Sequence, residues 1–330
     1  MGILRVHFTA DDLARVTIAN EPDPLWEVAF TRFRLRDPVR PLAFTPWLNR
    51  LRASPDRCAR IRAGGRVLDP LTPTGPYFPD FLTPNESARG LDAGLEALLS
   101  TPRRRLRREL RLLGERHRLP GWVRPLAEGD MMALRRLAGT LHAYHEAAVA
   151  PFADLVGAAA AADRACQSGN LLRGGLAGLF DGMRPLMRWQ PPVLEVGYGL
   201  DRDLVLGGRG LRLVPSYFCQ RAPLSLADQE LPPVLIYPIA QRHRWQPVIG
   251  SAPALTTLMG RNRSAVLQSL DRPATTTQLA RAVRISLAAA SRHASALREA
   301  GLVRSWRDGN AVLHLLTPLG HALLQGCSSA

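Results

Sequence analysis

The stretch SLAAASRHASALREAGLVRSWRDGNAVLHLLT, Ser286 to Thr317, gathers the side chains whose types and spacing point most directly to chemistry. On a helix, Leu287, Ala288, Ser291, Arg292 and Ser295 share one face. Small Ser and Ala let such a face lie close to a surface, and Arg292 is its one strong donor for a base edge or a phosphate oxygen. Ser286 stands where an N-cap is wanted. Further on, Asp308-Gly309-Asn310 reads as a tight two-strand turn, with Arg304, Arg307 and Asn310 placed to donate to a nucleic-acid backbone or minor groove. Thr276, at the start of the preceding helix, completes the candidate DNA-binding set. The competing reading is an Ala-rich amphipathic helix whose Ser/Arg face is merely solvated.

The elements that must position these residues are legible around them. Leu279, Ala280, Val283, Ile285, Ala290, Ala294, Leu297 and Leu302 form an inner apolar stripe that holds two helices on a common core. Upstream, ALTTLMGRNRSAVLQSL reads as one apolar helix that stops at DRP, followed by the short helix TTTQLARAV and the turn RIS. Downstream come a Gly, a hairpin around RDGN and the closing helix TPLGHALL. Helix, helix, helix, hairpin, helix is the winged helix-turn-helix plan.

The run TTTQLARAVRISLAAASRHASALREAGLVRSWRDGNAVLHLLTPLG resembles the winged-helix module of the ArsR family of bacterial transcription regulators. The likeness is carried by Leu279-Ala280, Ser286, Ser291-Arg292-His293, Leu297 through Val303 and Gly309. The sequence departs at Arg284, where the family's turn has Gly, at Ala294, where Leu is usual, and at His314, where an aromatic is common. DLARVTIANEPDPLWEVAF, FPDFLTPNES and LIYPIAQRHRW are similar, in order, to large actinobacterial ArsR-like regulators with a long N-terminal region of unassigned function. The resemblance implies a DNA-binding regulator, a repressor, acting as a homodimer on double-stranded DNA. Metal-sensing members place Cys before the turn or Asp/His on the last helix. Here those places read PATTTQLA and TPLGHALLQG, leaving only His321, so a metal sensor of those types is excluded and no cofactor is expected.

Charge is uneven: residues 251–330 carry 9 Arg against 3 acids, and residues 1–250 carry 34 Arg against 25 acids, with no Lys anywhere. A small basic module at one end suits a polyanion. At 330 residues the chain accommodates two domains. The loop-like QRHRWQPVIGSAP separates a domain over 1–245, for dimerisation, ligand sensing or both, from a winged helix-turn-helix domain over 250–330. The fold class is α+β, a mostly helical N-terminal domain with a small β-sheet followed by that C-terminal module. Residues 20–85 are broken by Pro, 87–188 are helical, and short strands follow Pro191-Pro192. Gly-Gly-Arg-Gly at 207–210 reads as a hairpin turn, and these strands with the N-terminal one form a single sheet.

Four scattered cysteines without a CxxC, no signal-like N-terminus and no apolar run near ~20 residues predict a reduced, cytoplasmic, nucleoid-associated protein with no membrane span. His142, His145 and Glu146 share a helical face but are too few for a site. The Arg-dense helix RRRLRRELRLLGERHR reads as amphipathic, with Leu106, Leu110 and Leu113 inward. No Ser/His/Asp or Cys/His set stands at a catalytic spacing, so no enzyme is expected. Two alternatives stay open: an N-terminal enzyme fused to a DNA-binding tail, and an architectural protein that coats DNA with little sequence preference.

Overall fold

The computed structural model describes residues 2–38, 42–75, 77–220, 222–240, 244, 252–270, 272–308 and 311–328. The chain divides into two compact units, residues 1–244 and 245–330. The class is α+β, with helices predominating and small sheets in each unit.

Three helices fill the Pro-broken region, which sequence alone reads as irregular. Pro24, Pro46 and Pro55 lie in the first turns of Pro24–Arg36, Thr45–Arg52 and Pro55–Leu68. There a missing N–H costs nothing and a fixed φ suits the helix, so these prolines start helices rather than break them. Asp23 caps the first by accepting from the amides of Leu25 and Trp26. These helices pack with Leu91–Leu99, Arg103–Gly114, Met131–Ala148 and the first part of Ala153–Asp181 around buried Trp47, Phe81, Tyr144 and Phe152. The last of these kinks at Gly174 and Gly175, so that Leu179 and Phe180 join the strand core. Leu106, Leu110 and Leu113 face that core as the spacing predicts, leaving Arg104, Arg107 and Arg111 exposed.

Among the described residues, the strands of the first unit form two four-stranded sheets, not one. Gly2–His7 (β1), Val16–Ile18 (β2), Met187–Gln190 (β3), Val193–Tyr198 (β4), Arg202–Val205 (β5), Leu211–Ser216 (β6), Leu224–Ser225 (β7) and Val234–Pro238 (β8) are arranged as β3-β4-β1-β5 and β2-β6-β8-β7. Nor is 202–216 a hairpin: β5 pairs in parallel with β1, and β6 pairs in parallel with β2 and β8. The glycines between them do take positive φ, but Gly210 N–H donates to buried Asp12 and the Gly208 carbonyl accepts from Arg15. The turn is thereby held against the segment joining β1 to β2, and its two strands pass into different sheets. β8 is buried on both faces, Leu235 and Tyr237 packing with the strand core and Val234 and Ile236 with the helical one. A strand covered on both sides needs the continuous apolar run Val-Leu-Ile-Tyr.

In the second unit the expected single upstream helix is two, Ala252–Met259 and Arg261–Gln268. Gly260 at φ 83° divides them, a conformation glycine adopts without the Cβ clash other residues incur. Thr276–Val283, Leu287–Glu299 and Pro318–Ser328 follow in the expected order. The hairpin Val303–Asp308 (β10) with Ala311–Leu316 (β11) gains a third, unanticipated strand, Ala274–Thr275 (β9), on the outer side of β11. Val266, Leu267, Leu279, Ala290, Leu297, Val303 and Leu316 make the core, with Val283, Ile285 and Leu302 partly buried against it.

Candidate nucleic-acid interface

The bracing helix Thr276–Val283 begins with a reciprocal cap. Thr275 Oγ1 accepts from Gln278 N–H at 3.3 Å, and Gln278 Oε1 accepts from Thr275 N–H at 2.7 Å. The helix ends at Arg284, whose φ of 58° and ψ of 46° place it in the left-handed region. This is the position at which the ArsR-like turn has glycine, and the geometry supplies the reason. The chain must turn sharply enough for Ile285 N–H to reach the carbonyl of Ala280 at 3.0 Å.

Ser286 then opens the second helix in extended geometry, its Oγ accepting from Ala289 N–H at 3.2 Å. That hydroxyl is spent on the helix terminus. Behind it, Ala290, Ala294 and Leu297 are buried, which turns Leu287, Ala288, Ser291 and Arg292 to solvent and leaves Ser295 half-buried. Leu287, 55 % exposed, adds an apolar side chain to that outward face. Among the described residues Arg292 makes no hydrogen bond or ion pair, so it does not cap against Glu299.

The wing separates its two arginines. Strand alternation and the pairs Arg304↔Leu315, Trp306↔Leu313 and Arg307↔Val312 put Arg304 and Trp306 on one face and Arg307 on the other. Sequence proximity grouped them; the period of two divides them. Trp306, absent from the residues singled out in the sequence, is 44 % exposed and shares that face with Arg304. Its signal was an aromatic in a strand one residue away from a basic tip. Asn310 and Gly309 lie outside the described residues, as does the Asp308 side chain.

Thr276 is not free either. His314, buried at 5 % exposure, is held between Thr276 Oγ1 at 2.9 Å and Ser305 Oγ at 2.7 Å. Burial, then the charge of Arg298, pushes the His314 imidazole below its ordinary value. The departure from an aromatic at this position thus ties the start of the bracing helix to both wing strands.

Electrostatics distinguish the unit most clearly. No arginine side chain from Arg261 to Arg307 has an ion pair or hydrogen bond among the described residues. The half-buried His293 is pushed down first by burial and then by the charges of Arg263 and Arg292.

The strongly perturbed acids of the first unit have structural partners. Burial raises Glu27 to about 7, yet its carboxylate accepts from Tyr217 N–H at 2.6 Å, Phe218 N–H at 3.1 Å and Ser216 Oγ at 2.9 Å. Burial likewise raises Asp80 to about 6 while it accepts from the amides of Ala227 and Asp228. Both join loops to helices. His145 pairs with adjacent Glu146 at 3.4 Å, and His142 is exposed. Among the described residues no three His, Cys, Asp or Glu come together as a metal would require, and no helix is long and apolar enough to cross a membrane.

Residues 259–305 match the family of the helix-turn-helix domain. No curated protein and no solved structure matches the chain. The match runs from the end of the helix Ala252–Met259 into β10, so the second unit is a helix-turn-helix domain of the kind found in DNA-binding transcription regulators.

Proposed function

We propose that the chain is a sequence-specific transcription regulator of the ArsR-like type, a repressor that acts in the cytoplasm as a homodimer on double-stranded DNA without a sensing metal. The first unit then dimerises, receives a small-molecule effector, or both, and does not catalyse. The observation that carries this reading is the row of arginines from Arg261 to Arg307 whose side chains have no partner among the described residues, around an exposed Ser/Ala/Arg helix face. Cations whose side chains meet no acid among the described residues are available to phosphate, where releasing condensed counterions supplies affinity. Pairing follows from surface area, since one helix in one groove covers little DNA and two half-sites a helical turn apart supply the rest. Regulation rather than catalysis is supported by Glu27 and Asp80, whose oxygens are occupied by backbone amides.

The donor-poor face of the second helix favours one other reading, an architectural protein that coats DNA. Arg292→Ala separates the two. If Arg292 reads a guanine edge, the change costs on the order of 1–3 kcal/mol per half-site on the operator and much less on scrambled duplex. Binding isotherms on both duplexes at two salt concentrations check this. Equal loss on both would favour the architectural protein, and no loss on either would leave Arg292 a solvated side chain.

A further inference from the structure

A cavity of about 310 Å³ in the first unit lies among the helices Pro24–Arg36, Thr45–Arg52 and Pro55–Leu68. Its lining combines two chemistries. Leu48, Leu51 and Ile61 give it an apolar floor, while Arg32, Arg34, Arg52 and Arg62 supply four guanidinium groups with no carboxylate in the wall. The inner two are engaged: Arg32 donates to both carboxylate oxygens of Asp69 at 2.7 Å, and Arg34 pairs with Asp37 at 3.1 Å. The outer two are not. Among the described residues the guanidinium groups of exposed Arg52 and Arg62 have no ion pair or hydrogen bond, although they come from different helices and line the same space.

Four cations around one cavity repel one another, and two internal acids offset only part of that. An anion entering between Arg52 and Arg62 relieves the repulsion and gains charge-assisted hydrogen bonds, while a hydrocarbon body on the same molecule covers the leucine and isoleucine floor. A bare anion leaves the floor wet, and a neutral apolar molecule leaves the charge unmet. The volume is at the lower end of small-molecule sites. We infer that this cavity binds an amphiphilic anion, a carboxylate or phosphate carrying a short hydrocarbon body. Only the name effector for this occupant rests on the proposed regulatory function; the binding itself does not.

Calorimetry on the full chain without DNA tests it with four probes: octyl phosphate, octanoate, inorganic phosphate and octanol. Saturable binding of octyl phosphate or octanoate is expected, roughly tenfold or more tighter than either inorganic phosphate or octanol, because each control lacks one half of the recognition. Which amphiphile is tighter distinguishes a phosphate from a carboxylate head. Arg52→Ala with Arg62→Ala should weaken the amphiphile by roughly tenfold or more. Both positions are exposed, so the fold is retained, and a matched pair of Lys substitutions should recover part of the affinity. The half-buried Cys58 thiol, which donates to the Leu51 carbonyl and lines the same cavity, locates the site, since occupancy should slow its alkylation. Equal affinity for octanol, equal affinity for inorganic phosphate, binding that survives loss of both arginines, or no saturable binding would each overturn the inference. None of these outcomes bears on whether the second unit binds DNA.

Discussion

In the first unit Arg209 alone donates to the carbonyls of Val205, Leu206, Gln229 and Leu231, Arg202 to those of Leu226 and Ala227, and buried Arg244 to those of Ser216 and Cys219. In the second unit, the side chains of Arg292, Arg304 and Arg307 donate to nothing among the described residues. A genome that writes every cation as arginine makes composition uninformative, and the difference lies in commitment. A planar five-donor group fits an irregular loop by capping its carbonyls, and the same fork fits phosphate when nothing internal claims it. The acids follow the same division, with Glu27 and Asp80 inside the first unit and occupied by its loops.

The largest effect expected from this division belongs to the first unit. Burial holds the folded-state value of Glu27 near 7, above the 4.5 of an exposed glutamate. The native state therefore keeps a proton that the unfolded chain releases. That contribution is fully present below about pH 4.5 and falls as pH climbs toward 7, by on the order of 3 kcal/mol. Asp80, raised to about 6, acts in the same sense. Chemical denaturation of the first unit at pH 5 and pH 8 should show the loss, and Glu27→Gln should flatten most of it. An unchanged slope in that variant would mean that another group titrates.

A smaller effect is expected in the wing. Since Arg304 and Arg307 occupy opposite faces of the hairpin, only one of them is placed to meet a given phosphate path. Arg307→Ala should lower the dependence of log affinity on log salt by about 1 for each phosphate that a subunit no longer neutralises, on all sequences alike. Arg304→Ala should leave that slope in place. Equal slopes for the two variants and the parent would show that the wing arginines are as idle on DNA as they are in the free unit.

The smallest effect has the opposite sign. Arg284 holds a left-handed conformation that costs a non-glycine residue roughly 1–2 kcal/mol, and among the described residues its side chain has no partner to offset this. Arg284→Gly should raise the stability of the second unit by up to about 1 kcal/mol once the added freedom of the unfolded chain is subtracted. If melting shows destabilisation instead, this guanidinium is committed and the contrast between the units fails at that residue.

How far the sequence could be read followed how local the information was. The turn at 284–286, the Ser286 cap, the buried stripe from Leu279 to Leu302 and the exposed face around Arg292 all depend on neighbours within a few residues. Gly260 and Pro24, Pro46 and Pro55 were legible as residue types but ambiguous in effect, because the same residue starts, divides or breaks a helix according to its place in the turn. The partition of strands into two sheets was illegible. The turn at 207–210 has hairpin composition, and only hydrogen bonds with Asp12 and Arg15, some 190 residues earlier, direct it otherwise. Thr276 read as a DNA-facing residue for the same reason, its partner His314 standing 38 residues away.

That distance also has a cost in time. β1, at residues 2–7, pairs with β4 at 193–198 and β5 at 202–205, and β2 pairs with β6 from residue 211. On a ribosome adding about 5–20 residues per second, the first strands wait roughly 10–40 s for their partners, with their backbone edges open to other chains. The helices between Pro24 and Asp181 can assemble meanwhile. The second unit, whose three-stranded sheet spans only residues 274–316, has no such wait. During synthesis, therefore, the edges of β1 and β2 stay open to other chains until β4, β5 and β6 emerge to pair with them.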